Sequence, residues 1–533
     1  MTPRGSRRRR SIRTYHLGLM AIGLLAALAI ITYQFRAPQS LSSAELTRPT
    51  GVPPVIRPEV LHPGLLPAFP GAAGAGAATP GGRGGQVLAV TNLNDRGPGS
   101  LRAAINTPGP RTVIFQVSGV IELERPLVIL EPFLTIAGQT APGGGITLSG
   151  TKNQDGEMIV LHDVHDVVIR YLRIRNGQLG TPGQGQTNIA IDSGAHNIVI
   201  DHVSLSWSLD ENVMIHRNIP DGISAEDWPE ISAITVQRSL IAEGLHPHST
   251  GIQTGGENAV EGWRGVKDIT IHHNLFAHNS HRNPGLGSLH TQIINNVMYN
   301  WAARAGETWR NIDVDWIGNY FKPGPMSASG LVLVHVAYPA NDPDHPWPAP
   351  SLFVGGNLAP PDFADPGGDN WGLYRIHYDF TPVPAAFRRT EPQPFTAVPV
   401  EIHTAEEAYH SVLADVGANA RLNCSGVWVD NLDRVDQRLL ADVERGTGPQ
   451  RRPIADAAEV GGLPELETGA PCPDGDADGM PDEFERTHPP LDPESPDDGG
   501  NDLHPQYTNL EIYLNGVSGD GLAEEVSRAG GGQ

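Results

Sequence analysis

The sequence predicts an all-β chain wound as a right-handed parallel β-helix, and three observations carry that prediction. First, short β-branched pieces recur: LTIAG at 134, VVIRY at 167, IVIDH at 198, ITVQR at 234, ITIHH at 269, QIINN at 292 and VDWIGN at 314. Second, they are spaced as a repeat. The fifth residues of the first five fall at 138, 171, 202, 238 and 273, steps of about 31 to 36, and Asn274, Asn296 and Asn319 then follow at steps of 22 and 23. Third, 62 Gly and 47 Pro among 533 residues, with 6% aromatic and 18% charged, describe a turn-rich β protein. That Gly and Pro content is too high for a helical bundle and too unevenly spread for collagen.

Each piece alternates in polarity, as a strand with one buried face does. One short unit repeated with loops of variable length is the mark of a solenoid, because a single unit cannot bury its apolar face alone. A propeller blade needs four strands in about 40 residues, and these steps are too short and irregular for it. Asparagine at a tight turn bonds the backbone of the neighbouring coil, so Asn274, Asn296 and Asn319 are expected to stack.

Residues 1–37 read as a signal peptide or membrane anchor. Arginines at 7–10 and 13 precede an apolar run from Leu17 to Ile31, the charged-then-apolar order of an export signal. The run is short for a full span, and no small-x-small cleavage site follows it, so a cleaved signal and a retained anchor both stand. Residues 38–67 form a Pro-rich linker, and 68–400 hold the β-helix. In 401–465, Thr404 and Glu407 make a capping box ahead of AEEAYHSVLADV, with Gly417 as terminator. A second helix runs from Val435 to Arg445 and stops at Gly446. This segment is expected to cap or extend one end of the solenoid, where a strand edge would otherwise be open. Cys424 and Cys472 either pair, in an oxidising compartment, or remain two free thiols.

Residues 466–517 form a small module, followed by a flexible tail at 518–533. From 474 to 485 the module reads D-G-D-A-D-G-M-P-D-E-F-E. Asp474, Asp476, Asp478, Asp482 and Glu485 occupy positions 1, 3, 5, 9 and 12 of an EF-hand-like loop, Gly479 position 6, and Met480 offers its carbonyl at position 7. Calcium is therefore expected here, the other reading being a solvated acidic loop. Asp497, Asp498, Asn501 and Asp502 form a further acidic group between two short helices, at Glu483 to His488 and Tyr507 to Asn515, and are a candidate for a second ion.

Charge excludes one class of partner. Seven Arg and no acid lie before position 38, so the remainder carries 30 basic against 60 acidic residues. Nucleic-acid binding needs a basic footprint that this chain lacks.

The stretches FPGAAGAGAATPGGRGG at 69–85, TNLNDRGPGSLRAAI at 91–105, IAGQTAPG at 136–143, IVIDHVSLSWSLDEN at 198–212 and ITIHHNLFAHNSHRNP at 269–284, with YNW at 299 and GNYFKPGP at 318, resemble the pectate lyases of polysaccharide lyase family one. The resemblance covers roughly residues 68–330. It implies a β-helix and β-elimination of an acidic polysaccharide, pectate or a related uronan, assisted by calcium. It matches the family's basic residue to Arg282, a role that needs a strongly positive neighbourhood because arginine otherwise keeps its proton. Of the family's calcium acids, Asp210 is matched. Another falls at Met214, which cannot replace a hard oxygen, and a third at Asn188 unless an insertion makes it Asp192. The substrate-binding lysine is replaced by His246 and His248, His281 joins them beside Arg282, and a second arginine expected five residues after Arg282 falls at Gly287. A monomer is expected, as is a secreted or periplasmic protein, membrane-attached if the N-terminal segment is retained. A β-helix that binds glycan without cleaving it stays open, as does a hydrolase on the same fold. The hydrolase needs paired carboxylates, and Asp201 and Asp210 are the only candidates on these strands.

Overall fold

The computed structural model describes residues 65–516 except 154–155, 178–185, 221, 257–264, 310–311, 328–333, 338–348, 362–369, 378–379 and 396. The signal or anchor at 1–37, nearly all of the linker and the tail at 518–533 lie outside the described residues. No helix among the described residues is long and apolar enough to cross a membrane.

Among the described residues the β-strands form three parallel sheets and one antiparallel pair, Ala420–Leu422 with Trp428–Asp430. The first has ten strands, from Gln86–Val90 to Ser351–Gly355; the second eight, from Gly119–Glu122 to Tyr320–Lys322; the third nine, from Leu127–Ile129 to Tyr374–Ile376. From Arg111–Phe115 to Val334–Ala337 the chain visits the three sheets in turn, and each strand pairs in parallel with the strand one coil further on. This is a parallel β-helix, and its register stacks like on like. Ile136, Ile169, Ile200, Val236, Ile271, Ile293 and Trp316 occupy successive coils at one position of the first sheet, all buried. Burial of each aliphatic side chain contributes about 1.5–3 kcal/mol.

The recurring fifth position has a backbone cause. Tyr171, His202, Arg238, His273, Asn295 and Gly318 all take positive φ, between 46° and 59°, at the corner where a strand of the first sheet turns into the second. That conformation costs a non-glycine residue roughly 1–2 kcal/mol, and in the later coils an asparagine at the next position makes offsetting hydrogen bonds. Asn274 donates its backbone N–H and Nδ2 to Asn296 Oδ1, both at 3.0 Å. Asn296 does the same to Asn319 at 3.0 and 3.1 Å, Asn319 to Asn357 at 2.9 Å twice, and Asn357 to Asn370 at 2.7 and 3.0 Å. The three asparagines named above do stack, and the ladder continues to Asn357 and Asn370, in segments whose spacing had lost the repeat.

Helix α1 (Leu101–Ile105) is short and capped by Ser100. Helix α2 (Ala405–Ala414) opens on the Thr404/Glu407 capping box. Helix α3 (Arg434–Arg445) is capped by Asp433 and ends at Gly446 with φ 70°. Val412 next to α2's end and Val435, Leu439 and Val443 of α3 pack on Leu240, Ala242, Leu275, Ala277, Val297 and Tyr299. These are alternate residues of second-sheet strands whose other residues, Ile241, Phe276 and Met298, face the interior. The helices therefore cover the outer face of the second sheet rather than an open end. Helices α4 (Asp482–Thr487) and α5 (Asn509–Leu514) belong to the C-terminal module, and Cys424 and Cys472 form a disulfide.

Candidate functional site

Arg282 precedes the third-sheet strand Gly285–Leu286, at a bend with φ 57°. Asn279 Nδ2 donates to Asn283 Oδ1 at 3.0 Å, and Asn279 Oδ1 accepts from the Gly244 N–H at 2.9 Å, which fixes this bend to the coil before it. Glu211 starts the strand Glu211–His216 and is in register with Thr250, which in turn bridges to His281. Arg282 thus reaches back across one coil to form an ion pair with Glu211. Its Nε lies 3.8 Å from Glu307 Oε1, and its guanidinium sits 5.4 Å from the centre of the Trp309 ring. Arg304 forms an ion pair with Glu307 from the other side. Glycine is required at 285: a Cβ there would stand 2.6 Å from the Trp309 ring and 2.8 Å from Arg282 Cγ.

Asp210, Glu211 and His248 converge next to this pair, with one ligand atom of each within 4.8 Å of the others. His248 Nδ1 is 2.8 Å from Asp210 Oδ1 but makes no hydrogen bond. Burial, reinforced by Asp210, pushes the Glu211 carboxyl up to about 8. Burial likewise raises Glu307, against the opposing pull of Arg304 and Arg282. Burial and then Arg282 push His281 down to about 3, so its ring is neutral and adds no charge. Two carboxylates that cannot both ionise unaided, facing an imidazole nitrogen without a hydrogen bond, suit a divalent cation. Arg282 itself is 19% exposed along its side chain, and Glu211 and Glu307 are almost fully buried.

The predicted residues divide. Arg282, His281, His248 and Asp210 come together, the two histidine rings meeting edge to face at 5.7 Å. His246 is exposed, and its backbone N–H donates to Ile454. Asn188 is buried; its Nδ2 donates to Ser206 O and Asn212 Oδ1, and its Oδ1 has no hydrogen-bond partner. Asp192 lies 3.3 Å from His162 instead. Met214 is in register with Ala190 and Gln253. Asp201, on the first sheet, is taken up by Arg170, Gln237 and His202, so the Asp201/Asp210 pair of a hydrolase does not form. The expected positive surroundings of Arg282 are corrected as well: two carboxylates flank it, and Arg304 answers one of them. Glu211, Glu307, Arg304 and Trp309 were not singled out from the sequence. Glu211 stood beside Asp210 in LDEN, and Arg304 brings a second guanidinium to Glu307 from the next coil.

A second acidic group lies in the C-terminal module. Ligand atoms of Asp474, Asp476 and Asp478 fall within 4.8 Å of one another, and so do those of Asp478, Glu485 and Asp497. Asp482 is outside both groups: its Oδ1 accepts from the Gly475 N–H at 2.7 Å and its Oδ2 from Arg486 at 2.8 Å. Met480 has a buried side chain, and its N–H donates to Asp478 Oδ1 at 2.9 Å.

No known protein-family profile matches the chain. Among curated proteins it is 34% identical over 470 residues to a probable pectate lyase C of Aspergillus terreus, covering 85% of this chain and 94% of that protein. To the probable pectate lyase C of Emericella nidulans it is 34% identical over 467 residues, covering 86% and 94%. Among solved structures it is similar to jun a 1, the major allergen of cedar pollen, at 18% identity with a TM-score of 0.48, covering 65% of this chain and 92% of that one.

Proposed function

The chain belongs to the pectate lyase family, and from that premise we propose that it is an exported polysaccharide lyase that cleaves pectate or a related uronic-acid polymer by calcium-assisted β-elimination. The observation that carries this reading is the convergence of Arg282 with Asp210, Glu211 and His248 beside one sheet. In the reaction the proton on C5 leaves, its electron pair forms the C4–C5 double bond, and the C4–oxygen bond breaks, the leaving oxygen ending protonated. No water is consumed.

Asp210 and Glu211 would hold calcium through their carboxylates, with His248 beside them, and the ion when bound would supply a Lewis-acidic contact for the uronate carboxylate and the charge that develops on it. Arg282 takes the C5 proton in this reading. Arginine gives up a proton only where negative partners are neutralised. Arg304 neutralises Glu307, and a cation held beside Asp210 and Glu211 would offset the Glu211 carboxylate. The guanidinium lies over the Trp309 ring. His281, held neutral, offers a hydrogen bond to a sugar hydroxyl where a lysine would have offered charge.

The test incubates the full chain with polygalacturonate and follows the ultraviolet absorbance of the unsaturated uronide, with and without chelator, beside Arg282→Ala. Product that depends on calcium and on Arg282 supports the reading. Equal activity of the variant removes Arg282 from the chemistry, and no product from either leaves a glycan-binding β-helix.

A further inference from the structure

The acidic residues of the C-terminal module exceed what its hydrogen bonds satisfy. Glu485 is fully buried, 0% exposed, and neither of its carboxylate oxygens has a hydrogen-bond partner. Asp474 Oδ1, Asp476 Oδ2 and Asp497 Oδ1 are also buried without one. Burying an unpaired carboxylate costs several kcal/mol, and here five unpartnered oxygens on four carboxylates lie around Asp478. The backbone supports the arrangement. The Gly479 N–H donates to Asp474 Oδ2 at 3.1 Å, and the Asp478 N–H to Asp476 Oδ1 at 3.3 Å. The Asp497 N–H donates to Asp478 Oδ2 at 3.0 Å, which ties the later segment to the loop.

We propose that the module carries a two-part calcium site, in which Asp474, Asp476 and Asp478 of the loop and Glu485 of α4 are completed by Asp497 from outside the loop, and that the ion clamps the module onto the first coils of the β-helix. Asp482, the residue a twelve-residue loop would place at position 9, is already held by Gly475 and Arg486 and stays outside. Five carboxylates and no nitrogen or sulfur donor select a hard cation, and calcium accepts six to eight oxygens in flexible geometry where magnesium requires a regular octahedron. Asp497 is therefore part of the first ion site and not the start of a second.

The clamp follows from what the loop touches. Met480 and Phe484 pack with Ala137, Leu422, Leu510 and Tyr513, and Val87 packs against the same group. A Cβ on Gly479 would stand 2.6 Å from Val87 Cγ1, so the loop lies directly on the strand Gln86–Val90. Neutralising the carboxylates stabilises that contact, while the disulfide at Cys472 anchors the loop's other side.

This site is separate from the lyase reading, and its test is chosen to be independent of it. Calcium is titrated into the calcium-stripped full chain while thermal unfolding is followed, in wild type, Asp210→Asn, Glu485→Gln, Asp497→Asn and Asp482→Asn. At calcium a hundredfold above Kd, Tm of the wild type and of Asp210→Asn rises by about 3 °C. With Asp210→Asn also present to disable the other candidate ion site, the rise is lost in Glu485→Gln and Asp497→Asn and kept in Asp482→Asn. Terbium luminescence sensitised by nearby aromatic residues, measured at a temperature where far-UV circular dichroism shows all variants folded, follows the same pattern. With saturating calcium, Glu485→Gln keeps wild-type turnover of polygalacturonate below its melting range. No response in the wild type, or a response kept in Asp497→Asn and lost in Asp482→Asn, overturns the proposal.

Discussion

Arg282 and Glu211 are separated by a whole coil of the β-helix, with Thr250 in register between them, and their side chains still meet in an ion pair. The pair places Arg282 against the carboxyl that, in the proposed reading, would release its proton to a cation, so that the proposed basic and metal-binding roles share one contact.

Arg282→Lys separates position from charge. Lysine keeps the charge but loses the planar fork that touches Glu211, Glu307 and Trp309 together. Its kcat falls by roughly a hundredfold to a thousandfold, and Arg282→Ala falls at least as far. Steady-state assays read both, with circular dichroism as the check that the fold persists.

Gly285→Ala tests whether the placement of Arg282 matters. The added methyl displaces the arginine stem or the Trp309 ring, and a shift of about 1 Å at a reacting group costs on the order of a hundredfold in rate. Activity lost with wild-type melting behaviour is the expected result. Unchanged activity would show that the guanidinium tolerates movement.

Asn296→Ala breaks the ladder at its centre. It removes the acceptor of both Asn274 donors and the donors to Ile271 O and Ile294 O. Buried backbone groups left without partners cost about 1–3 kcal/mol each, so a loss of roughly 2–4 kcal/mol is expected in denaturant unfolding. A loss below about 1 kcal/mol would mean that the ladder follows the fold without supporting it.

His202 tests a pH dependence. Burial opposes its charge, but Asp201 at 2.9 Å and Asp415 at 3.1 Å outweigh burial and hold it above its usual range. A raised pKa contributes stability that is fully present below about 6.5, the unfolded value, and is lost as pH rises through the folded one. The difference in Tm between wild type and His202→Gln is therefore largest near pH 6 and shrinks toward alkaline pH. A difference that grows with pH would contradict the charged assignment.

Much of the scaffold was legible because it is local and periodic. The strand alternation, the corner at every fifth position, the Asn274–Asn296–Asn319 stack, the Thr404 cap and the acidic loop are each written within a dozen residues or in a repeat. Arg282, Asp210, His248 and His281 could be named from motifs, since each sits in a recognisable stretch. What surrounds them could not. Glu307 and Trp309 meet Arg282, and Arg304 meets Glu307, only because coils separated by loops of unequal length come into register. Neighbours across coils depend on how many residues each loop inserts and on which turn absorbs them. Spacing along a chain does not encode that number; hydrogen bonding between stacked strands decides it.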